Sequence, residues 1–80
     1  MSDPARQAAA RAALAEASRE IGTDVRSFTV LEVLRRRRDR TKIPFYLVTL
    51  ELPTGTRLTY QVSDDGKRVE RSGRFMTSRI

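Results

Sequence analysis

The pattern of apolar and polar positions changes period once, near residue 25. Before it, Ala10, Ala13, Leu14, Ala17 and Ile21 recur at spacings of three and four within an alanine-rich segment. That spacing forms one stripe on a helix, and the segment has strong intrinsic helix propensity. Ser2 or Asp3 can cap the start, Pro4 suits the first helical position and Gly22 suits the close, so a helix is predicted over about 4–21. Its apolar side chains are small, which lets the axis sit close to its packing partner. Arg6, Arg11, Glu16, Arg19 and Glu20 are left to solvent.

Beyond residue 25 the period is two. RSFTVLEVLR and IPFYLVTLEL are rich in β-branched and large apolar residues and predict strands over about 26–36 and 43–52. TRLTYQVS predicts a third over about 56–63, and the segment around Lys67 to Ser72 a weaker fourth over about 67–72. Pro53 with Gly55, and Asp64 and Asp65 with Gly66, carry turn chemistry between them. Short connections favour antiparallel neighbours. The expected architecture is a single α+β domain over residues 1–80, with one N-terminal helix packed on a three- or four-stranded antiparallel β-meander and a tail, 73–80, whose order is left open.

The strand faces sharpen this picture. Leu58, Tyr60 and Val62 alternate with Arg57, Thr59 and Gln61, as in a sheet with one buried and one wet face. In the second strand, Tyr46, Val48, Leu50 and Leu52 share one face, yet Ile43, Phe45 and Leu47 occupy the other. The first strand is expected to place Phe28, Val30 and Leu34 on one side and Leu31 and Val33 on the opposite side. One slim helix covers a single side, so Phe45, Leu47, Leu31 and Val33 need a second cover. A homodimer or a partner protein would provide it. A strong twist with Phe75, Met76 and Ile80 folding back would also do so.

Charge adds a location. Sixteen basic and ten acidic residues give +6. Residues 1–23 hold three of each sign, whereas 24–42 hold a surplus of four. That surplus comes from Arg35, Arg36, Arg37, Arg38, Arg40 and Lys42, which fall at the distal end and loop of the first predicted hairpin. Alternation sends Arg35 and Arg37 to one face and Arg36 and Arg38 to the other. Arginine forks match phosphate and carboxylate oxygens bidentately, so such a tip suits sequence-tolerant contact with a DNA or RNA backbone. Arg57, Lys67, Arg68 and Arg71 would assist if the fold brings them to the same side. A solvated tip that discourages sheet-edge pairing, or one that binds an acidic protein surface or anionic lipid, competes with this reading.

Chemistry is sparse. The chain has no cysteine and no histidine, which removes disulfides, thiol nucleophiles, Cys/His zinc sites and imidazole catalysis. GTDV at 22–25 and PTGT at 53–56 are too short for phosphate loops, and Asp64 and Asp65 lack the ligand spacing of a calcium loop. Serines and threonines have no base to activate them. A non-catalytic binding protein without cofactor, metal or small-molecule substrate is expected. No membrane association is expected either: the N-terminal segment lacks the apolar core of a signal peptide and no run has bilayer length, so the expected location is cytoplasmic.

With a single N-terminal helix, a meander of strands, and Tyr60, Val62, Asp65 and Gly66 in YQVSDDGKRVE, the chain resembles the small helix-plus-sheet domains of the cystatin-like and PepSY-like type over roughly residues 5 to 71. The resemblance implies a helix lying across a curved sheet. No cystatin protease-binding motif is recognisable, so inhibitory activity is not implied.

Overall fold

The computed structural model describes residues 4–71, and the expected caps Ser2 and Asp3, Ser72 at the end of the fourth expected strand, and the tail 73–80 lie outside them. Helix α1 (Pro4–Ile21) is followed by a 3-10 turn (Val25–Ser27) and four strands, β1 (Thr29–Arg37), β2 (Pro44–Glu51), β3 (Arg57–Ser63) and β4 (Val69–Arg71). The strands form one antiparallel sheet in the order β1-β2-β3-β4, with α1 packed on one face. This is the α+β meander that the periodicity predicts.

The helix ends where glycine permits it. Gly22 has φ +78° and its N–H donates to the Ser18 carbonyl at 2.8 Å, a left-handed close that a side chain would strain. The packed stripe shares Ala13, Ala17 and, at its margin, Leu14 with the expected one and differs from it at the ends. Ala9, Ala13 and Ala17 are buried, whereas Ala10 is half-buried and Ile21 is exposed. The sheet explains the difference. Val48, Leu50, Tyr60 and Val62 are fully buried and, with Tyr46 and Phe28, fill the layer between sheet and helix, so the helix meets them with its smallest side chains. Leu14 and Ala12 pack at the margin of that contact.

The first strand begins later than its apolar content suggests. Asp24 accepts the Arg26 N–H on Oδ1 at 2.8 Å, and the Ser27 N–H reaches the Asp24 carbonyl at 2.9 Å. This local capping winds Val25–Ser27 into a turn before the chain extends. Within β1 the register shifts between Val30 and Glu32, leaving Leu31 as an extra residue against β2. A bulge of this kind resets the alternation. Val30 lies across from Leu50 and Val33 across from Val48, so both share the helix-side face, while Leu34 lies across from Leu47 on the open face. The expected division of the first strand, with Leu34 beside Val30 and Val33 opposite, is corrected accordingly.

As the sheet's edge, β1 would expose unpaired backbone groups. Arg6 reaches across from α1 and donates from Nη1 to the Val33 carbonyl at 2.6 Å, occupying one of them.

Candidate nucleic-acid interface

The meander sends the β1–β2 loop and the β3–β4 loop to the same end of the sheet. At that end the first loop is closed by the Arg38 N–H donating to the Ile43 carbonyl at 3.1 Å and the Lys42 N–H donating to the Arg38 carbonyl at 2.8 Å. Lys42 takes φ +59°, a left-handed conformation that disfavours residues with a β-carbon. The second loop is held by Asp65. Its Oδ1 accepts the Ser63 hydroxyl at 2.6 Å and the Lys67 N–H at 3.0 Å, and these two bonds hold its carboxyl below the usual carboxylate range.

Cross-strand pairing assigns the arginines to faces. Arg35 lies across from the buried Tyr46 and Arg37 across from Pro44, at the distal end of the helix-side face. Arg36 lies across from Phe45 on the open face, and Arg38 folds onto the same face. Its guanidinium carbon stands over the Phe45 ring, 5.0 Å from the centroid, and its Nη2 donates to Gln61 Oε1 at 3.0 Å. The ion pairs among the described residues join Arg19 to Glu16, Arg26 to Asp24 and Arg57 to Glu51. Arg35, Arg36, Arg37, Arg40 and Lys42 are all exposed, and none of them takes part in an ion pair among the described residues. Asp39 and Glu32 are close in sequence yet neutralise none of these groups by direct contact.

Of the assisting cations, Lys67 and Arg68 sit in the second loop at this same end. Arg38 and Arg68 both line a shallow groove of about 250 Å³, together with Ile43, Phe45, Gln61, Ser63 and one carboxylate, Glu70. Arg57 does not belong here. It starts β3 across from Glu51, at the other end of the sheet, bonding that carboxylate at 3.4 Å, and the strand between it and Ser63 spans roughly 20 Å. Arg71 lies across from Tyr60 on the helix-side face of β4. The ten basic residues singled out from the sequence therefore divide into eight at the loop end and two elsewhere.

The four apolar residues expected to share an interface divide as well. Phe45 and Leu47 are half-buried on the open face, Leu31 stands exposed at the bulge, and Val33 packs against the core under α1. Leu34 takes the place assigned to Val33, because the bulge shifts the alternation by one residue. Gln61 was missed as a site residue. Its only signal is its place on the wet face of a cleanly alternating strand, and nothing local in sequence shows that it anchors Arg38, 23 positions away.

No helix among the described residues is long and apolar enough to cross a membrane. Comparison of the chain with known protein families, curated proteins and solved structures found no match.

Proposed function

We propose that the protein is a non-catalytic binding protein that contacts nucleic acid through the phosphate backbone, using the arginine-rich β1–β2 tip. The observation that carries this reading is the exposure of Arg35, Arg36, Arg37, Arg40 and Lys42 without an acidic partner among the described residues, on a hairpin end that also gathers Lys67 and Arg68. Guanidinium groups held apart from carboxylates keep their fork geometry free for phosphate oxygens. Lys42 adds support. At a left-handed position glycine or asparagine relieves the strain, and what lysine supplies there instead is charge. Backbone contact of this kind is tolerant of base sequence and strongly salt-dependent. Titration of generic duplex and single-stranded DNA and RNA at two salt concentrations tests it. Four duplex phosphate contacts give a log-log salt slope of about −3.6. An unchanged signal at low salt removes the reading.

A second reading, a protein-interaction or self-association module, is favoured by one feature. Leu34 and Leu47 lie across from each other, beside Phe45, on the sheet face opposite α1, and no described element packs there. Sedimentation at high micromolar concentration separates the readings: a monomer that binds oligonucleotide supports the first, and a dimer broken by Leu47→Asn supports the second.

A further inference from the structure

The aromatic residues at the loop end point to a more specific ligand than phosphate alone. Phe28, Tyr46 and Tyr60 are buried in the core, and Phe45 is the aromatic among the described residues that is not. It is half-buried on the open face between Arg36 of β1 and Ser63 of β3, at the end of the apolar patch that Leu34 and Leu47 form. Over the ring stands the Arg38 guanidinium, 5.0 Å from its centroid and tethered at 3.0 Å to Gln61. The ring below and the amide beside it thus hold a planar cation in place at the wall of the groove that Ile43 and Arg68 also line.

Nucleobases stack on aromatic rings and on arginine planes alike, and arginine itself stacks well on aromatic faces. The groove volume of about 250 Å³ lies below the range that encloses drug-sized ligands and suits one flat ring system. In a duplex, both faces of each base are already stacked on neighbours, so only an unpaired base can offer a face to this platform. Arg36, in the same cross-strand row as Phe45, and Arg68, at the groove wall, place positive charge beside it for the flanking phosphates, and with Arg38 they outnumber the single carboxylate of the groove, Glu70, which lies across from Gln61. Building on the phosphate-contact reading above, we infer that the ligand is single-stranded nucleic acid, with one unstacked base resting on Arg38 above Phe45. Recognition is then sequence-tolerant, because every base has a face to stack.

The chain contains no tryptophan, so Phe45→Trp introduces a single fluorescent reporter under Arg38. Titrating the full chain with a mixed-sequence oligonucleotide is expected to quench that fluorescence, and the same sequence as a duplex at equal salt is expected to leave it nearly unchanged. Phe45→Ala is expected to weaken single-strand binding roughly tenfold and duplex binding by less than about twofold. Arg38→Lys keeps the charge and loses the plane, so it is expected to weaken single-strand binding severalfold. Circular dichroism of each variant, with Phe45→Leu as a conservative substitute, separates loss of stacking from loss of fold. Equal binding of single strand and duplex without quenching overturns the stacking inference and leaves phosphate contact standing. Binding of neither at low salt overturns both. Equal competition by a polyglutamate peptide assigns the tip to acidic protein surfaces and also overturns it.

Discussion

The Tyr60 hydroxyl donates a 2.9 Å hydrogen bond to Glu20 Oε1, joining the last turn of α1 to the middle of β3. The ring is fully buried, so its only polar atom finds its partner on a helix side chain 40 positions away. Burial of the phenol, followed by its hydrogen bond to Glu20 and that carboxylate's negative charge, pushes its pKa from 10.0 up to about 12, with Arg71 opposing. Across that interval the folded chain keeps a proton that the unfolded chain releases. The contribution is fully present below about pH 10 and is lost as pH rises through about 12. Urea midpoints measured across this window should fall with rising pH, and Tyr60→Phe should flatten that decline. At neutral pH the same variant should lose about 1 kcal/mol, the net value of one hydrogen bond.

Close approach of α1 depends on its alanines. Ala13 has no exposed surface, whereas Ala8 faces solvent. Ala13→Leu forces a branched side chain against Val48, Leu50 and Tyr60 and should destabilise by about 1–3 kcal/mol in chemical denaturation. Ala8→Leu, the same change on the solvent-facing side of the helix, should shift stability by less than about 0.5 kcal/mol.

Arginines on the two faces of the tip should behave differently. Arg36 and Arg38 flank Phe45 on the open face, and Arg35 and Arg37 project to the helix side. Replacing Arg36 and Arg38 by alanine should reduce the salt slope of single-strand binding by about 0.7 for each phosphate contact removed. Replacing Arg35 and Arg37 should have the smaller effect on single strands. Neither pair should alter the sedimentation coefficient.

Lys42→Gly should move stability and binding in opposite directions. Relief of the left-handed backbone at φ +59° should raise stability by up to about 1 kcal/mol, seen as a higher melting temperature. Loss of the cation should weaken oligonucleotide binding at low salt.

Leu47 and Val48 are neighbours in sequence and opposites in the sheet. Val48→Lys buries an unpaired charge under α1 and should unfold the domain, whereas Leu47→Lys, on the open face, should leave a cooperative thermal transition. A comparison of the two melts checks the face assignment directly.

Periodicity made the class of fold legible. The change from a spacing of three and four to a spacing of two separates α1 from the sheet, and Pro53, Gly55 and Gly66 mark short turns that permit only antiparallel neighbours. The local charge excess likewise exposed the hairpin tip, because adjacent arginines in a strand and its loop cannot be far apart. Strand faces were legible in β2 and β3, where alternation runs unbroken.

Other features depend on contacts between distant segments. The bulge at Leu31 exchanged Val33 for Leu34 on the open face, since a single extra residue inverts every position beyond it. The burial of Ala9 beside Ala13 and Ala17, in place of Ala10 and Ile21, depended on how much space the residues of β2 and β3 leave, which the helix pattern does not contain. Lys67 and Arg68 joined the tip while Arg57 lay at the other end, because strand direction, not position along the chain, decides which loops meet. By itself the sequence determined which segments are helix and strand and where positive charge is dense. Tertiary structure decided which side chains share a face, because register and direction are set by pairing across the sheet and not by any residue's immediate neighbours.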